Sequence, residues 1–371
     1  MSKTLQDYAI LINDTIQSNE INHYITTANM CQNLGGIDTF KNINIPQGKV
    51  RSFQKDDVLL SNIRLYFRKV YRAKQKGGCS SDVLVFRAKH IDSATLFAIL
   101  SSQIFTDYAC SGSQGSKMPR GNKTHMMDFK IPTINFTIAK IFNSIQNKIE
   151  NNHKINELLH KILELLYEQY FVRFDFLDEN NKPYQTSGGK MKFSKELNRL
   201  IPNDFEVKTL GELTQLKVGN KNANHSSNQG KYPFFTCSNN PLRCETYQFE
   251  GKHIIISGSG NFYVTHYDGK FDAHQKTYVV NPNNPNHYVL IYLFVKSNTN
   301  YLKLQSRGSI IKFITKSDIE NIKIVLPNLK TYAKWNNVLK MIENNNQSTQ
   351  TLTALRDFLL PLLLKQQVKP Q

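Results

Sequence analysis

Basic and aromatic side chains in the first half of the sequence form a group suited to binding a polyanion. The run consists of Arg64, Tyr66, Arg68, Lys69 and Arg72. Arginine and lysine contact DNA phosphates, and arginine also reads guanine through a pair of hydrogen bonds. The alternative is a strand with a solvated basic face. A loop rich in glycine and serine supplies three further cations, Lys117, Arg120 and Lys123.

Polar loop residues in the second half form another candidate DNA-contacting set. They are Thr236, Ser238, Asn239, Asn240, Arg243, Asn261, His266, Tyr267, Lys270, His274, Gln275, Lys276 and Arg307. The amides of Asn and Gln pair with adenine, so several of these residues are natural base readers. The alternative is that turns contain Asn, Ser and Gly for backbone reasons, with His266 and His274 as hydrogen-bonded framework residues.

The composition agrees with a nucleic-acid partner. The chain has 371 residues, with 47 Lys and Arg against 29 Asp and Glu and a formal charge of +18. Such a surplus favours a polyanionic partner, most often nucleic acid, although it can also serve solubility alone. The 5 cysteines are scattered and never spaced as CxxC, which argues against a disulfide framework and a zinc ribbon.

Motifs for catalysis are absent from the sequence. There is no GxxxxGK[ST] phosphate loop, and residues 258–260 (GSG) lack the rest of a dinucleotide-binding loop. Residues 281–285 (NPNNP) only imitate the tetrapeptide of an amino-methyltransferase. Asp204, Glu206 and Lys208 resemble a fragment of a metal-nuclease site, but they lie too close together to come from separate strand ends. We therefore predict no catalytic residue, no metal site and no cofactor.

Segments for export or membrane insertion are not evident. The first residues, MSKTLQDYAI, lack the apolar run of a signal peptide. The apolar run at 358–364 is too short to span a bilayer and contains Pro361. These patterns predict a soluble cytoplasmic protein with reduced thiols and no membrane partner.

Two long helical patterns must position the candidate residues. Residues 137–174 contain no Pro or Gly, and their apolar side chains recur at steps of three and four or multiples of seven, with Asn152 and Asn156 in the apolar seam. A second such pattern covers residues 333–364. We predict an antiparallel pair, although an ordinary helical hairpin core gives the same stripes. Additional apolar positions at Leu158, Leu163 and Leu165 predict partner helices.

The chain also contains an internal repeat. Residues 5–7 (LQD), 113–116 (SQGS), 131–132 (IP) and 149–152 (IENN) recur in the same order as 210–212 (LGE), 306–309 (SRGS), 326–327 (LP) and 342–345 (IENN). The offset is larger for the first landmark, so the first copy carries extra residues. The prediction is an α+β fold with two β-rich domains, separated by two long antiparallel helices in a pseudo-twofold internal repeat.

Several longer segments carry a family pattern. They are residues 166–174 (LYEQYFVRF), 182–184 (KPY), 187–191 (SGGKM), 232–238 (YPFFTCS), 254–260 (IIISGSG), 266–278 (HYDGKFDAHQKTY) and 359–363 (LLPLL). With them the chain resembles the specificity (S) subunit of type I restriction-modification systems over essentially its whole length. The resemblance is weaker in the first β-rich domain.

The resemblance implies a division of the chain into functional parts. These are target-recognition domain 1 (1–135), a central spacer helix (136–174), a linker (175–204), target-recognition domain 2 (205–330), and a C-terminal spacer helix with tail (331–371). Each recognition domain would read half of a split DNA target. The helices would dock two methyltransferase subunits, and restriction/translocase subunits would join for cleavage.

The physical length of the central helix is compatible with a spacer role. At about 1.5 Å per residue, residues 138–170 make a helix roughly 50 Å long, and same-face major grooves recur about every 34–36 Å. Two further classes remain open: a basic nuclease or methyltransferase whose motifs have diverged, and a coiled-coil scaffold for acidic proteins.

Overall fold

The structure, a computed structural model, describes residues 3–38, 43–131, 134–227, 229–327 and 333–363. The chain divides into two compact units. Unit 1 comprises Met1–Asn156 and Asn344–Gln371, and unit 2 comprises Glu157–Glu343. Both boundaries fall inside long helices, so each unit contains a part of both helices.

Unit 1 begins with short strands and short helices. Its strands are β1 (Ala9–Ile12), β2 (Thr15–Gln17), β3 (Tyr24–Ile25), β4 (Lys49–Phe53), β5 (Val58–Ser61), β6 (Val70–Arg72), β7 (Gly77–Cys79) and β8 (Val83–Ala88). Its short helices are α1 (Leu5–Tyr8), α2 (Ser93–Ser101), α3 (Gln103–Ser111) and α4 (Lys123–Met127). One sheet has the order β1-β8-β5-β6 with antiparallel neighbours, and the other has the order β2-β4-β7-β3.

The central strands β5 and β8 are buried on both faces, which explains their continuous apolar sequences. Leu60 and Phe86 pack with helix α2 in one core. Leu59 and Val85, which are paired across the two strands, point into a second core with the other sheet. The sheet β1-β8-β5-β6 therefore lies between a helical layer and the second sheet.

Two long helices each contain residues of both units. They are α5 (Phe136–Tyr167), which a π-helical turn extends over Glu168–Val172, and the last helix of the chain, Ala333–Leu363. This confirms the long central helix, and Leu364, the predicted end of the second helix, lies outside the described residues. Within unit 1, Asn152 Nδ2 donates to Thr349 Oγ1 at 3.2 Å and Asn156 Nδ2 donates to Asn346 Oδ1 at 2.7 Å. The order of these pairs shows that the two helices run antiparallel here.

Unit 2 has a similar set of elements. Its strands are β9 (Met191–Ser194), β10 (Arg199–Pro202), β11 (Glu206–Thr209), β12 (Thr214–Val218), β13 (Tyr232–Phe235), β14 (Leu242–Cys244), β15 (Lys252–Ser257), β16 (Val264–Asp268), β17 (Asp272–Ala273), β18 (Thr277–Pro282) and β19 (Lys323–Leu326). Its helices are α6 (Leu210–Leu213), α7 (Tyr288–Ser297), α8 (Thr299–Gln305) and α9 (Lys316–Glu320), before α10 (Ala333–Leu363). The largest sheet has the order β12-β18-β15-β16.

The internal repeat is visible in the architecture of both units. The order β12-β18-β15-β16 in unit 2 matches β1-β8-β5-β6 in unit 1, strand for strand. Alternate residues again face two cores: Ile254 packs with helix α7, whereas Ile255 packs with Phe271. The first landmark of the repeat is a helix start in each unit, because the Asp7 carboxylate accepts from the Thr4 backbone N–H at 2.7 Å. Glu212 accepts from the Thr209 backbone N–H at 2.6 Å in the same way.

The polar segment 175–204, which is predicted to be a linker, contains ordered secondary structure. Strands β9 and β10 form an antiparallel hairpin. Ile201 joins a core with Phe174, Phe205 and Val325, and the Phe176 ring stacks on the Tyr184 ring at 4.7 Å between centroids. The composition suggested a linker because the apolar residues of this hairpin are few and widely spaced.

Candidate nucleic-acid interface

The polar loops of unit 2 meet around the end of strand β15. The backbone N–H of Gly258 donates to the carbonyl of Lys276 at 2.7 Å, and that carbonyl also accepts from Cys237 Sγ at 3.4 Å. On the other side, Gly260 N–H donates to the Lys312 carbonyl at 2.9 Å. These bonds bring four loops of distant sequence to one surface. We call this surface, made by residues 236–240, 258–263, 274–276 and 306–313, the loop face of unit 2.

The loop after β13 is held by its own hydroxyl groups. Thr236 Oγ1 and Ser238 Oγ lie 3.0 Å apart, and Ser238 Oγ donates to the Asn240 carbonyl at 2.6 Å. Asn239 and Asn240 are exposed. A cavity of about 100 Å³ separates this loop from Tyr263 and Thr265. The two amides are therefore presented on an ordered loop.

The neighbouring loops add further donors and acceptors to this face. Asn261 is exposed, and its Nδ2 donates to Tyr263 Oη at 3.0 Å. His274 Nδ1 accepts from the Lys276 backbone N–H at 3.2 Å, and burial lowers the pKa of this histidine. His274 is thus a framework residue that shapes the turn, whereas the side chains of Gln275 and Lys276 are exposed.

Two predicted contact residues, His266 and Tyr267, lie on strand β16 and not on the loop face. The His266 ring lies 4.9 Å from the Tyr292 ring, and its Nδ1 is 3.6 Å from Glu343 Oε1. Burial lowers the pKa of His266 to about 3, so this histidine is neutral and cannot serve as a cation for phosphate. Tyr267 packs its ring against Phe235 at 5.5 Å between centroids. These contacts favour the framework alternative for His266, and DNA contact by His266 and Tyr267 stays a prediction.

Three predicted cations of unit 2 have partners within the unit. Arg243 Nε and Nη2 donate to the carbonyls of Gly230 and Lys231, both at 2.9 Å. Lys270 Nζ lies 4.6 Å from the centre of the Tyr247 ring, and Arg307 forms a bidentate pair with Asp318. Arg243 and Arg307 are nevertheless exposed. A phosphate can therefore reach both side chains, although their partners within the unit already compensate part of their positive charge.

Unit 1 has an equivalent loop face with the same backbone bonds. Asn62 N–H donates to the Asp82 carbonyl at 2.8 Å, Gly121 N–H donates to the Asn62 carbonyl at 3.1 Å, and Arg64 N–H donates to the Pro119 carbonyl at 2.9 Å. Their counterparts in unit 2 are the bonds from Gly258 to Lys276, Ile314 to Gly258, and Gly260 to Lys312. Lys117, Arg120 and Lys123 are exposed on this face. Within unit 1, these loop cations therefore lie at the place equivalent to the loop face of unit 2.

The basic run of unit 1 is a turn and only partly a strand. Arg64 and Arg68 have positive φ angles of 51° and 49°, and they flank a 3₁₀ turn over Leu65–Phe67 before strand β6. Arg68 Nη2 donates to the Ser101 carbonyl at 2.9 Å, and burial lowers the pKa of its guanidinium. The Arg68 side chain therefore stabilises the C-terminal end of helix α2. Tyr66 is exposed at the centre of the turn.

The other cations of this run also make internal contacts. Lys69 Nζ donates to the Thr27 carbonyl at 2.6 Å, and Arg72 Nη1 donates to Ser93 Oγ at 3.4 Å. Arg64 Nη2 donates to the Lys117 carbonyl at 3.3 Å. Arg64, Lys69 and Arg72 thus have partners within unit 1, whereas the side chains of Lys117, Arg120 and Lys123 are exposed.

Unit 2 contains a largely buried cluster of three side chains that can bind a metal ion. The side chains of His225, Cys244 and Asp272 bring their ligand-type atoms within 4.8 Å of one another. Thr246 Oγ1 donates to Asp272 Oδ2 at 2.9 Å and lies 2.9 Å from His225 Nε2, so hydrogen bonds satisfy the buried carboxylate. The three clustered residues come from a 3₁₀ turn and two strands that are distant in sequence, so no sequence spacing indicates the cluster.

The two units share one framework and differ in the side chains that their loops expose. Each unit places a sheet between two cores and presents hydroxyl, amide and cationic side chains from loops at the end of the central strand. A duplicated framework with different loop chemistry is suited to binding two related but non-identical targets. In the described parts of the chain, no helix has the length and apolarity needed to cross a membrane.

Comparison with known proteins finds similarity to one family. Residues 202–355 match the model of the type I restriction modification DNA specificity domain. The Escherichia coli type I restriction enzyme EcoDI specificity subunit is 36% identical over 132 residues, which are 34% of this chain and 28% of that relative. The type I restriction enzyme MjaIX specificity subunit of Methanocaldococcus jannaschii is 24% identical over 301 residues, 72% of this chain and 67% of that protein.

A solved structure agrees with these matches at the level of the fold. The type I restriction-modification S subunit from M. genitalium superposes with a TM-score of 0.62 at 15% identity, covering 99% of this chain and 96% of that one. The chain is thus similar in sequence to type I restriction-modification specificity subunits, and residues 202–355 match the DNA specificity domain of that family. Its alignment with the EcoDI subunit spans only 28% of that relative.

Proposed function

We propose that this protein is the DNA-recognition subunit of a type I restriction-modification complex, and that each unit reads one half of a bipartite DNA target. The observation that carries the proposal is the duplicated loop face, with one framework and two different sets of exposed side chains. The protein would itself be non-catalytic. Partner methyltransferase and restriction/translocase subunits would methylate adenine and cleave DNA, in the cytoplasm where the DNA is found.

Exposed amides and cations support DNA as the partner. Asn239, Asn261 and Gln275 of unit 2 can each pair with a base edge. Lys276 and the loop cations of unit 1 supply phosphate contacts that are independent of sequence. The formal charge of +18 adds long-range attraction to a polyanion.

An apolar stripe on helix α5 supports docking of the methyltransferase subunits. Leu158, Ile162 and Leu165 occupy one side of helix α5 at steps of four and three, and all are exposed in unit 2, as is Val172 in the π-helical turn that follows. Val172 also lines a cavity of about 620 Å³ with Phe171 and Leu293. A stripe with this spacing fits the apolar face of a partner helix.

Docking can be tested with one matched pair of variants. Leu165 is 55% exposed on the helix, and Leu200 is 54% exposed on the hairpin β9–β10. We expect Leu165→Glu to abolish co-purification with the methyltransferase subunits while leaving the unfolding temperature unchanged. Leu200→Glu should co-purify as the parent does. Equal co-purification of both variants would exclude the helix stripe as the docking surface.

The long helices would set the spacing between the two half-sites. Helix α5 has 32 residues, which at a rise of about 1.5 Å gives roughly 48 Å. We expect an insertion of four residues within 148–156 to lengthen the preferred spacer. Selection of binding sites from DNA with randomised spacers measures this, and an unchanged spacer would exclude the helix as a ruler.

The recognition function is tested by the methylation pattern that the protein directs. The chain is produced with its methyltransferase subunits in a host without that methylation, and the modified adenines are mapped by sequencing. We expect a split motif with an unread gap. A continuous palindrome would contradict the proposal.

Individual readers are then assigned by substitution. Asn261→Ala should change the specificity of one half-motif and leave the other half unchanged, because Asn261 belongs to the loop face of unit 2. Asn180→Ala, an exposed amide on the segment 175–204, is the control and should change neither half. A change in both halves after Asn261→Ala would contradict reading by separate units.

The remaining enzymatic alternative, a basic nuclease or methyltransferase with diverged motifs, requires activity of the chain alone. The purified chain is incubated with DNA, magnesium and S-adenosylmethionine. Under the present proposal neither cleavage nor methyl transfer occurs until the partner subunits are added.

A further inference from the structure

The last loop on each loop face is a tight hairpin with an apolar tip. In unit 2, Arg307 and Phe313 exchange backbone hydrogen bonds of 2.9 Å in both directions. In unit 1, Gln114 and Arg120 do the same at 2.9 and 2.8 Å. The glycine that follows the first residue of each pair, Gly308 or Gly115, has a φ of +97° in both units. We call these two segments, 113–120 and 306–313, the tip hairpins.

The tip hairpins present apolar side chains to solvent. Ile310 is 96% exposed and Ile311 is 61% exposed in unit 2. Met118, at the position equivalent to Ile311, is 53% exposed in unit 1. Exposing isoleucine to this degree gains nothing for folding, because burial is what makes an apolar side chain stabilising. The two tip hairpins thus share an exposed apolar side chain at equivalent positions, Met118 and Ile311.

Each tip hairpin is fixed to the surface that carries the proposed DNA contacts. The Lys312 carbonyl accepts from Gly260 N–H at 2.9 Å, which places the hairpin beside Asn261. In unit 1, the Pro119 carbonyl accepts from Arg64 N–H at 2.9 Å. Lys312 and Lys117 are exposed next to the apolar tips. An apolar tip with a neighbouring cation matches duplex DNA, in which stacked bases lie between phosphates.

We propose that each tip hairpin is an apolar wedge that enters a base-pair step of the bound DNA, with Met118 in one half-site and Ile310 and Ile311 in the other. Isoleucine and methionine are among the side chains that partly unstack a base step and kink the duplex. This inference rests on the proposed DNA-recognition function. It adds a readout of DNA deformability to the direct base contacts, since flexible steps such as TA and CA unstack at lower cost.

The competing occupant is an apolar surface of a partner subunit. Leu304, in the short helix that precedes the hairpin, is 83% exposed. A protein interface would use Leu304 together with Ile310 and Ile311 as one patch. A DNA wedge uses only the tip. The two occupants therefore predict different effects of Leu304→Ser.

The experiment uses the complex of this chain with its methyltransferase subunits and duplexes that contain the mapped split motif. Adenines are replaced one at a time with 2-aminopurine, whose fluorescence rises when its base unstacks. We expect the parent complex to give a rise at one step in each half-site. The double variant Ile310→Ser, Ile311→Ser should lose the rise in one half-site and keep it in the other, and Met118→Ser should do the opposite.

Binding measurements complete the test. Loss of two buried isoleucines at the DNA should weaken binding by about ten- to a hundredfold, because the cost of unstacking a base step, which the variant avoids, offsets part of the lost burial. Leu304→Ser should bind and unstack DNA as the parent does, and Ile311→Met should retain the signal. Unchanged fluorescence and affinity in the double variant would overturn the wedge.

Two further results also have definite meanings. If the double variant and Leu304→Ser both fail to assemble with the methyltransferase subunits, the patch contacts protein and the wedge is overturned. If the parent complex binds no split target at all, the proposed recognition function fails, and the wedge fails with it.

Discussion

Replacing the two buried seam asparagines with leucine should preserve stability and broaden the choice of DNA spacer. Asn152 and Asn156 are 1% and 9% exposed, and each bonds to the opposite helix. Asn156 also accepts from Asn345 Nδ2 at 3.0 Å. The double substitution removes these three hydrogen bonds, each of which contributes about 1 kcal/mol net.

The gain from leucine is of similar size or larger. Burying one leucine side chain contributes about 1.5–3 kcal/mol, and the exposed Asn346 can bond to water after its partner is lost. The free energy of unfolding should therefore stay within a few kcal/mol of the parent and can rise. What is lost is the polar layer that allows only one register of the two helices.

The expected functional result is a loss of spacer discrimination. A slip of one helical turn moves one helix by about 5.4 Å, which corresponds to between one and two base pairs at about 3.4 Å each. The variant should also bind targets whose spacer is one or two base pairs longer or shorter than the preferred one. Its preference for the original spacer length should fall about tenfold or more. The assay is selection from randomised spacers, together with chemical denaturation of the same protein.

Ile149→Leu on the same helix is the control, because it preserves volume without touching the polar layer. It should leave both stability and spacer preference unchanged. A sharp spacer in the asparagine-to-leucine variant would refute the register role. A fall of more than about 3 kcal/mol in its unfolding free energy would refute the estimate from the structure.

Three further predictions concern single features of the two units. Because the pKa of His266 in the folded protein is about 3, below its unfolded value, its contribution to stability is complete above about pH 6.5 and is lost as the pH falls; by pH 5 the loss is at most about 2 kcal/mol. Chemical denaturation at pH 6.5 and at pH 5 should show a smaller loss of unfolding free energy in His266→Phe than in the parent protein. Arg356, which is 2% exposed and donates to the Asn33 carbonyl at 3.3 Å, should cost about 3–5 kcal/mol when changed to Ala, measured by chemical denaturation. Gly308→Ala should weaken DNA binding at its half-site more than Gly115→Ala does at the other half-site. A Cβ at position 308 would lie 2.4 Å from the Ile311 carbonyl oxygen, whereas a Cβ at position 115 would lie 3.7 Å from its nearest neighbour, the Met118 carbonyl oxygen. Equal losses of affinity in the two variants would contradict this prediction.

The framework was predictable because its signals are local and repeated. The central strands were recognisable from short apolar runs, since both of their faces are buried. Helix α5 was recognisable from a long pattern without Pro or Gly. The repeat landmarks 5–7 and 210–212 correspond to capped helix starts, so a weak sequence match reflected a real backbone requirement.

The side-chain roles were less predictable because they depend on distant contacts. His266 has the sequence context of a loop residue, but the positions of Tyr292 and Glu343 make it an interior residue. Arg68 has the appearance of a phosphate ligand, but its positive φ turns it towards the Ser101 carbonyl. A positive φ at arginine is uncommon, and the sequence gives no sign of it.

The backbone at these turns also has a consequence for the DNA target. Arg64 in unit 1 and Gly260 in unit 2 occupy equivalent positions, donate equivalent backbone hydrogen bonds of 2.9 Å, and both have positive φ angles, of 51° and 76°. Unit 2 meets this geometry with glycine and places Asn261 next to it. Unit 1 uses an arginine that donates to the Lys117 carbonyl and has Leu65 at the next position. Since one backbone geometry carries different side chains, the two half-sites should differ in sequence, and a motif whose halves are inverted copies would contradict this reasoning.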